Sequence, residues 1–431
     1  MMYGDSGFRN GYSQYGARGE PRYRRGRRGP GDLRGGRGPF RVCSYYPSSS
    51  SSASTPSYAQ PLEGDRASSP RWLEFDRAYF QSYSHVGIHE EMIKDRLRTD
   101  TYRAAIMRHQ HFIAGKVVMD VGCGTGILSI FCAQAGARRV YAVEASEIAV
   151  QANEVVKEND LSDKVIVLHG RVEDVNIEEK VDVIISEWMG YMLLYESMLA
   201  SVIFARDKWL KPGGLILPSH ATLYMAPVTD SERYRDSIDF WRDVYGIDMS
   251  AMLPLAKQCA FEEPVVDTIS GENVLTWPFV VKYVDCYTVT AQELESITTK
   301  YRFASMMQAP LHGFAFWFDV EFNGPPMFPL NNHLHFPPAN SSSDFYAHGS
   351  GHRKKRVKSD DVIVLSTAPE DAPTHWQQTM LYFYEPIEVK QDQIIEGSIT
   401  LCQSKENPRF LNIHLEYSSG GRSFVKESVM R

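Results

Sequence analysis

The chain has 431 residues, of which 43% are hydrophobic, with a net charge of −7 and six cysteines. That length and apolar content suffice for more than one core, and two domains are the expectation. No apolar run approaches the ~20 residues of a helical membrane span and no signal peptide opens the chain, so no membrane partner is expected. The cysteines (Cys43, Cys123, Cys132, Cys259, Cys286, Cys402) form no CxxC pair and no metal-ligand spacing, which argues for free thiols, a reducing compartment and no bound metal.

Residues 1–70 are rich in Arg and Gly, then in Ser, and too poor in aliphatic residues to form a core; disorder is expected there. Residues 1–41 hold ten Arg against Asp5, Glu20 and Asp32, and this +7 leaves −14 for the rest of the chain. An acidic body suits a basic partner, although a solvated acidic surface gives the same balance. The tail reads as a weak RNA binder or as a plain solvated segment.

From Trp72 the pattern becomes globular. Residues 75–112 read as helices, with Thr99 or Asp100 as N-cap of the second. Strands at Val117 to Val121, Val140 to Glu144, Val165 to Leu168 and Val181 to Ile185 then alternate with helices at 127–135, 146–158 and 197–210. The Pro212-Gly213-Gly214 stretch predicts a turn into Leu215 to Leu217. This is the pattern of a doubly wound parallel α/β sheet over about 71–218. Residues 219–431 differ. After a strand from His220 to Val228 comes a helical insertion at about 229–262. Period-two alternation follows (Phe314, Phe316, Phe318, Val320, Phe322), arguing for an antiparallel sheet or barrel. Residues 324–361 interrupt that domain, and the run from Arg353 to Lys358 reads as a nuclear localisation signal or a solvated basic loop.

Two loops carry the chemistry. The segment from Asp120 through Gly122, Gly124 and Gly126 follows a strand and opens a helix, so its backbone N–H groups can approach a ligand closely. Glu144 ends the next strand, where one carboxylate can accept from both hydroxyls of a ribose. The GxGxG spacing and the two acids favour S-adenosylmethionine over a dinucleotide. The segment from Ser186 to Met198 follows the fourth strand and places Glu187 and Glu196 at either end of a loop containing Gly190. Two convergent carboxylates suit one planar cation, and a guanidinium is the natural candidate.

With these motifs, Tyr79 to Glu416 resembles the type I protein arginine methyltransferases. The resemblance rests on Tyr79-Phe-Gln-Ser-Tyr83, His85 to Met92 with Asp95 and Arg98, the glycine loop, Val143-Glu144, Val172-Glu173, the two-glutamate loop and Thr374-His375-Trp376. It implies a Rossmann-like methyltransferase domain, then an antiparallel β-barrel domain whose inserted helical arm makes a homodimer. It implies S-adenosyl-L-methionine held by His89, Arg98, Asp120, Gly122, Gly124, Gly126, Glu144 and Glu173. Arg98 would pair with the cofactor carboxylate, Glu144 with the ribose and Glu173 with the adenine. Glu187 and Glu196 would grip the substrate guanidinium, with His375 and Asp95 closing the site. Tyr83, Met92, Met198 and Trp376 would shape it, Met at position 92 favouring asymmetric dimethylation. Histone tails and Gly/Arg-rich proteins are the implied substrates, chromatin and transcription regulation the implied role, and the nucleus the implied location. The chain's own arginines at 18–41 are expected targets too. A nicotinamide-dependent oxidoreductase would leave the paired acids unexplained, and a silent RNA-binding scaffold would not need them.

Overall fold

The computed structural model describes residues 71–325 and 362–431. The expectations for the tail at 1–70, the segment 326–361 and its basic run lie outside the described residues. Four N-terminal helices, α1 (Arg71–Ser82), α2 (Val86–Lys94), α3 (Arg96–Arg108) and α4 (Gln110–Ile113), lead into β1 (Val117–Val121). The chain continues through α5 (Ile127–Gln134), β2 (Arg139–Glu144), α6 (Ile148–Glu158), β3 (Val165–His169), β4 (Val181–Ile185), α7 (Leu199–Trp209) and β5 (Leu210–Leu217). These five strands form one parallel sheet in the order β3-β2-β1-β4-β5. β1 is buried at every position, as a central strand covered on both faces must be, and this is why it reads as an unbroken apolar run around Asp120.

Two expectations need correction. Pro212-Gly213-Gly214 does not turn into a strand; it lies within β5, where the pairing shifts between Val181 opposite Leu210 and Val183 opposite Leu215. The extra residues are absorbed as an irregularity in an edge strand, a place that tolerates Pro and Gly. The N-cap of α3 is neither Thr99 nor Asp100 but Asp95, whose Oδ1 accepts from the Arg98 amide at 3.0 Å. Thr99 instead lies buried inside the helix, its hydroxyl directed to the Met92 carbonyl at 3.4 Å.

From β6 (His220–Val228) onward the strands are antiparallel. β6 joins β7 (Val265–Asp267), β8 (Phe279–Asp285), β10 (Ala309–Phe322), β11 (Ile363–Ser366) and β12 (Gln378–Val389) in one sheet. The helix α10 (Ala291–Glu295) precedes β9 (Ser296–Ala304), which forms the second sheet with β13 (Ile394–Gln403), β14 (Leu411–Ser419) and β15 (Arg422–Met430). The sheets meet across aromatic rings: Phe383 of β12 stacks on Tyr417 of β14 at 3.9 Å between centroids, and Phe314 meets Tyr301 at 5.4 Å. The arm inserted after β6 consists of α8 (Ser231–Ser237), two 3₁₀ turns and α9 (Leu253–Phe261). It explains why β10 is buried on both faces. Phe314, Phe316, Phe318, Val320 and Phe322 face the main core, whereas Ala315 and Trp317 pack in a second cluster with Ile238 and Phe261 of the arm segment. The main core is continuous across both halves, joining Val183 and Ile185 to Phe316 and Phe318. No helix among the described residues is long and apolar enough to cross a membrane.

Candidate active site

In the order β3-β2-β1-β4-β5 the connections after β1 and β4 depart to opposite sides, and a crevice opens outside their carboxyl ends. Both chemistry-bearing loops sit there. After β1, Gly122, Gly124 and Gly126 have φ of 73°, 55° and 84°, left-handed values that glycine adopts without a Cβ penalty. A Cβ on Gly122 would collide with Met198 Cε, and one on Gly124 would come within 3.0 Å of His89 Nδ1. Glu144, at the end of β2, accepts from the Gly124 amide and from the Ser146 amide, each at 2.8 Å. Its carboxylate is thereby fixed against the glycine loop. His89 is buried, with Nε2 on the Tyr83 carbonyl at 2.7 Å.

Beneath the loop, Asp120 is fully buried; Oδ2 accepts from Ser129 at 2.7 Å and Oδ1 has no partner. Burial pushes its carboxyl up to about 7, against the Ser129 hydrogen bond. Burial likewise raises the Cys123 thiol, so that side chain is no thiolate nucleophile. Glu173 accepts from Ser201 Oγ at 2.7 Å and faces Arg171 Nε at 3.4 Å. A left-handed glycine cradle, an orphaned acid beneath it and the Glu144 carboxylate fixed against it fit a nucleoside cofactor carrying a cationic group.

The second loop places Glu187 and Glu196. Met192, Leu193, Glu196 and Ser197 all have φ between 52° and 73°. Such non-glycine positions cost about 1–3 kcal/mol each and persist only where the surroundings over-determine them. Gly190 is required inside the turn: its amide reaches the Leu193 carbonyl at 3.1 Å, and a Cβ would strike the Tyr195 carbonyl. Glu196 Oε2 accepts from Tyr83 Oη at 2.7 Å and Tyr79 Oη at 3.0 Å. Burial raises its pKa, opposed by the two tyrosine hydrogen bonds and by Arg409, and reinforced by Glu187. Glu187 Oε2 accepts from Arg98 Nη2 at 3.1 Å and Nε at 3.2 Å. Among the described residues, neither Glu187 Oε1 nor Glu196 Oε1 has a hydrogen-bond partner.

His375 closes one side, its Nδ1 and amide reaching Asp95 Oδ2 at 2.7 and 2.9 Å. Burial pushes the Asp95 carboxyl up, but hydrogen bonds from the His375 ring and the Arg98 and His375 amides outweigh it and leave it below its usual value. Trp376 is buried and donates to the Met189 carbonyl at 2.8 Å, so it supports the glutamate loop from outside. Met92 is partly exposed at the end of α2, and its carbonyl accepts from Arg98 Nη1 at 3.2 Å.

The expected residues therefore converge, with one difference in pairing: Arg98 lies on Glu187. Three contributors are absent from the expected set. Tyr79 grips Glu196 beside Tyr83, and their spacing of four on a helical turn is the signal that would have found it. Asp76 and Arg409 tie α1 to the β13–β14 connection, with Arg409 Nε and Nη2 at 3.1 and 3.0 Å from Asp76 Oδ1. Nothing local in the sequence marks that pair.

A glycine cradle with an acid fixed against it at the switch point of a parallel sheet, beside a carboxylate pair, fits a nucleoside-cofactor methyltransferase. Residues 105–219 match the ribosomal protein L11 methyltransferase (PrmA) model, and residues 219–333 and 354–422 match the arginine methyltransferase oligomerization subdomain. "Probable protein arginine N-methyltransferase 6" of Arabidopsis thaliana is 72% identical over 370 residues, covering 86% of this chain and 85% of the relative. "Protein arginine N-methyltransferase 6" of Xenopus tropicalis is 45% identical over 352 residues, covering 81% and 93%. The Trypanosoma brucei PRMT1 enzyme-prozyme heterotetramer with AdoHcy superposes with TM-score 0.68 at 34% identity, covering 81% of this chain and 100% of that one. Arabidopsis thaliana protein arginine methyltransferase 10 gives TM-score 0.67 at 34% identity, covering 82% and 100%. The chain belongs to the protein arginine N-methyltransferase family, enzymes that methylate arginine with S-adenosylmethionine as donor.

Proposed function

We propose that this enzyme binds S-adenosylmethionine in the glycine cradle and methylates arginine side chains held by Glu187 and Glu196. The observation that carries the reading is that both half-buried carboxylates keep Oε1 without a partner among the described residues, while Glu187 already accepts a guanidinium, that of Arg98, through Oε2. The cofactor supplies an electrophilic methyl group on a sulfonium. Glu144 takes the ribose hydroxyls, Glu173 the adenine, and Arg98 is the cation available to the cofactor's carboxylate.

A guanidinium has a pKa of ~12.5–13.8, so stripping its proton at pH 7 costs about 7 kcal/mol or more, at ~1.36 kcal/mol per pK unit. Positioning alone can supply ~7–11 kcal/mol. The substrate therefore enters protonated. Hydrogen bonds from two of its nitrogens to Glu187 and Glu196 draw positive charge toward the held side and leave electron density on the free nitrogen. That nitrogen would be the nucleophile for the methyl group the bound cofactor supplies, the new N–C bond replacing the C–S bond, whose electron pair would stay with the sulfur. The proton leaves last, when the alkylated nitrogen has become acidic, and Glu196, with its raised pKa, is placed to accept it.

Monomethyl- and then asymmetric dimethylarginine are the proposed products, as the resemblance to the type I enzymes at Met92 and Met198 implies. Histone tails and Gly/Arg-rich segments are the proposed substrates, and the nucleus the proposed location. Beside the site, Glu90, Glu91 and Asp95 line a cleft of about 800 Å³ with Lys94, Arg96 and His375, three acids against two permanent cations. Homodimerisation through the arm is proposed because Phe240, Tyr245, Ile247 and Leu255 stand exposed along it, Tyr245 at 99%. Incubation with labelled S-adenosylmethionine and a Gly/Arg-rich peptide, read by mass spectrometry, tests the chemistry, and sedimentation tests the dimer. Dimethylarginine with both methyls on one nitrogen is expected, from a dimer; symmetric product, no transfer, or an active monomer would each overturn the corresponding part.

A further inference from the structure

Glu196 is the more strained of the two clamp residues: its backbone is left-handed and its carboxylate depends on tyrosines from another element. What holds it comes from the far end of the chain. The Glu196 amide donates to the Arg409 carbonyl at 2.9 Å, and Arg409 Nη1 donates back to the Glu196 carbonyl at 2.9 Å. Next to it, Ser197 Oγ donates to the Pro408 carbonyl at 2.6 Å. The same guanidinium forks onto Asp76 Oδ1 of α1 and lies 4.1 Å over the ring of Tyr79, one of the two phenols on Glu196. Asp76 Oδ2 in turn meets Arg171 Nη1 at 3.2 Å, and Arg171 faces Glu173.

We propose that Arg409 is a positioning residue for methyl transfer: it fixes the backbone of Glu196 and, through Asp76, the helix whose tyrosines orient the Glu196 carboxylate. The proposal rests on the reading of Glu196 as half of the guanidinium clamp. One planar group with five donors serves both elements at once, which a lysine ammonium cannot reproduce in the same geometry. The link also sets a positive charge close enough to act on the Glu196 carboxylate. The groups acting on its carboxylate are Tyr79 from α1, Tyr83 from the turn that follows it, Glu187 from its own loop and Arg409 from the β13–β14 connection, with Tyr191 and Tyr195 alongside. Arg409 is the one among them that lowers its pKa by charge.

The test compares kcat, KM and the pH dependence of kcat/KM for the full-length enzyme, Arg409→Lys, Arg409→Met and Asp76→Asn, with a Gly/Arg-rich peptide as substrate. Arg409→Met should lose about a hundredfold in kcat, the scale of a ~1 Å misplacement of a reacting group. Its acid limb should move to higher pH. Arg409→Lys should leave that limb near its original position but lose about tenfold in kcat, because the charge stays while the fork is gone. Asp76→Asn should lower kcat with the acid limb in place. A wild-type kcat and an unmoved acid limb in Arg409→Met would overturn the proposal. So would losses that merely follow the folded fraction, measured by circular dichroism, with every pH profile unchanged. If Arg409→Met does not fold, Arg409→Lys and Asp76→Asn decide through kcat at unchanged KM: losses well beyond the loss of folded fraction support the proposal, and losses that only follow the folded fraction overturn it. Absence of transfer by the unmodified enzyme would instead refute the clamp reading itself.

Discussion

At the residue scale, the site is governed by how each carboxylate is partnered. Glu196 has to be ionised to hold a cation, yet burial raises its pKa and its two tyrosine hydrogen bonds counter that rise. Activity should therefore fall as the pH drops through a value above that of an ordinary glutamate. Tyr83→Phe removes the 2.7 Å hydrogen bond that stabilises the charged form, so the acid limb of kcat should move to still higher pH. A pH–rate profile of the variant checks this, and a shift toward lower pH would contradict it. Asp95 runs the other way: it caps α3 with one oxygen and holds His375 with the other, and these bonds to its charged form leave it ionised. The sequence exposed Glu187, Glu196 and His375 through their motifs. It hid Asp95's capping role because Thr99 and Asp100 offer equally good capping chemistry nearby, and only the bend between α2 and α3 selects among them.

At the element scale, the strands declared themselves because β-branched runs bounded by polar turns have few other readings. β1 and β4 match the residues expected for them, and the adjacent loops fall at the switch point as a parallel sheet requires. The irregularity in β5 was not legible, since Pro-Gly-Gly signals a turn everywhere except at a forgiving edge. β10 was half legible: period two identified its inner face, while the arm that covers Trp317 is set by tertiary packing. The glycine loop makes the sharpest demand on one element. Gly124→Ala would force a side chain into a left-handed backbone and against His89, so affinity for S-adenosylmethionine should weaken by about tenfold or more, at ~1–3 kcal/mol for such strain. Isothermal titration measures it directly, and an unchanged Kd would mean that the loop does not cradle the cofactor.

At the scale of the whole molecule, the site exists because two halves share a core. Glu187 and the cradle come from the parallel sheet, His375 and Arg409 from the antiparallel one, and α1 and α2 bring Tyr79, Tyr83 and His89 across the cradle and the glutamate loop. Contacts such as Asp76 to Arg409, 333 residues apart, are what no local pattern could announce. The arm's second cluster, with Phe261 fully buried and its carbonyl held by Lys426 Nζ at 2.6 Å, anchors the arm while its outer residues stay exposed for a partner. The proposed assignment of Glu187 and Glu196 is to the substrate cation and not to the cofactor. Its most direct test is Glu187→Gln, with methyl transfer to a Gly/Arg-rich peptide and S-adenosylmethionine binding measured on the same preparation. Near-complete loss of transfer is expected, with the cofactor Kd close to that of the unmodified enzyme; sustained transfer, or loss of cofactor binding in step with activity, would contradict the assignment.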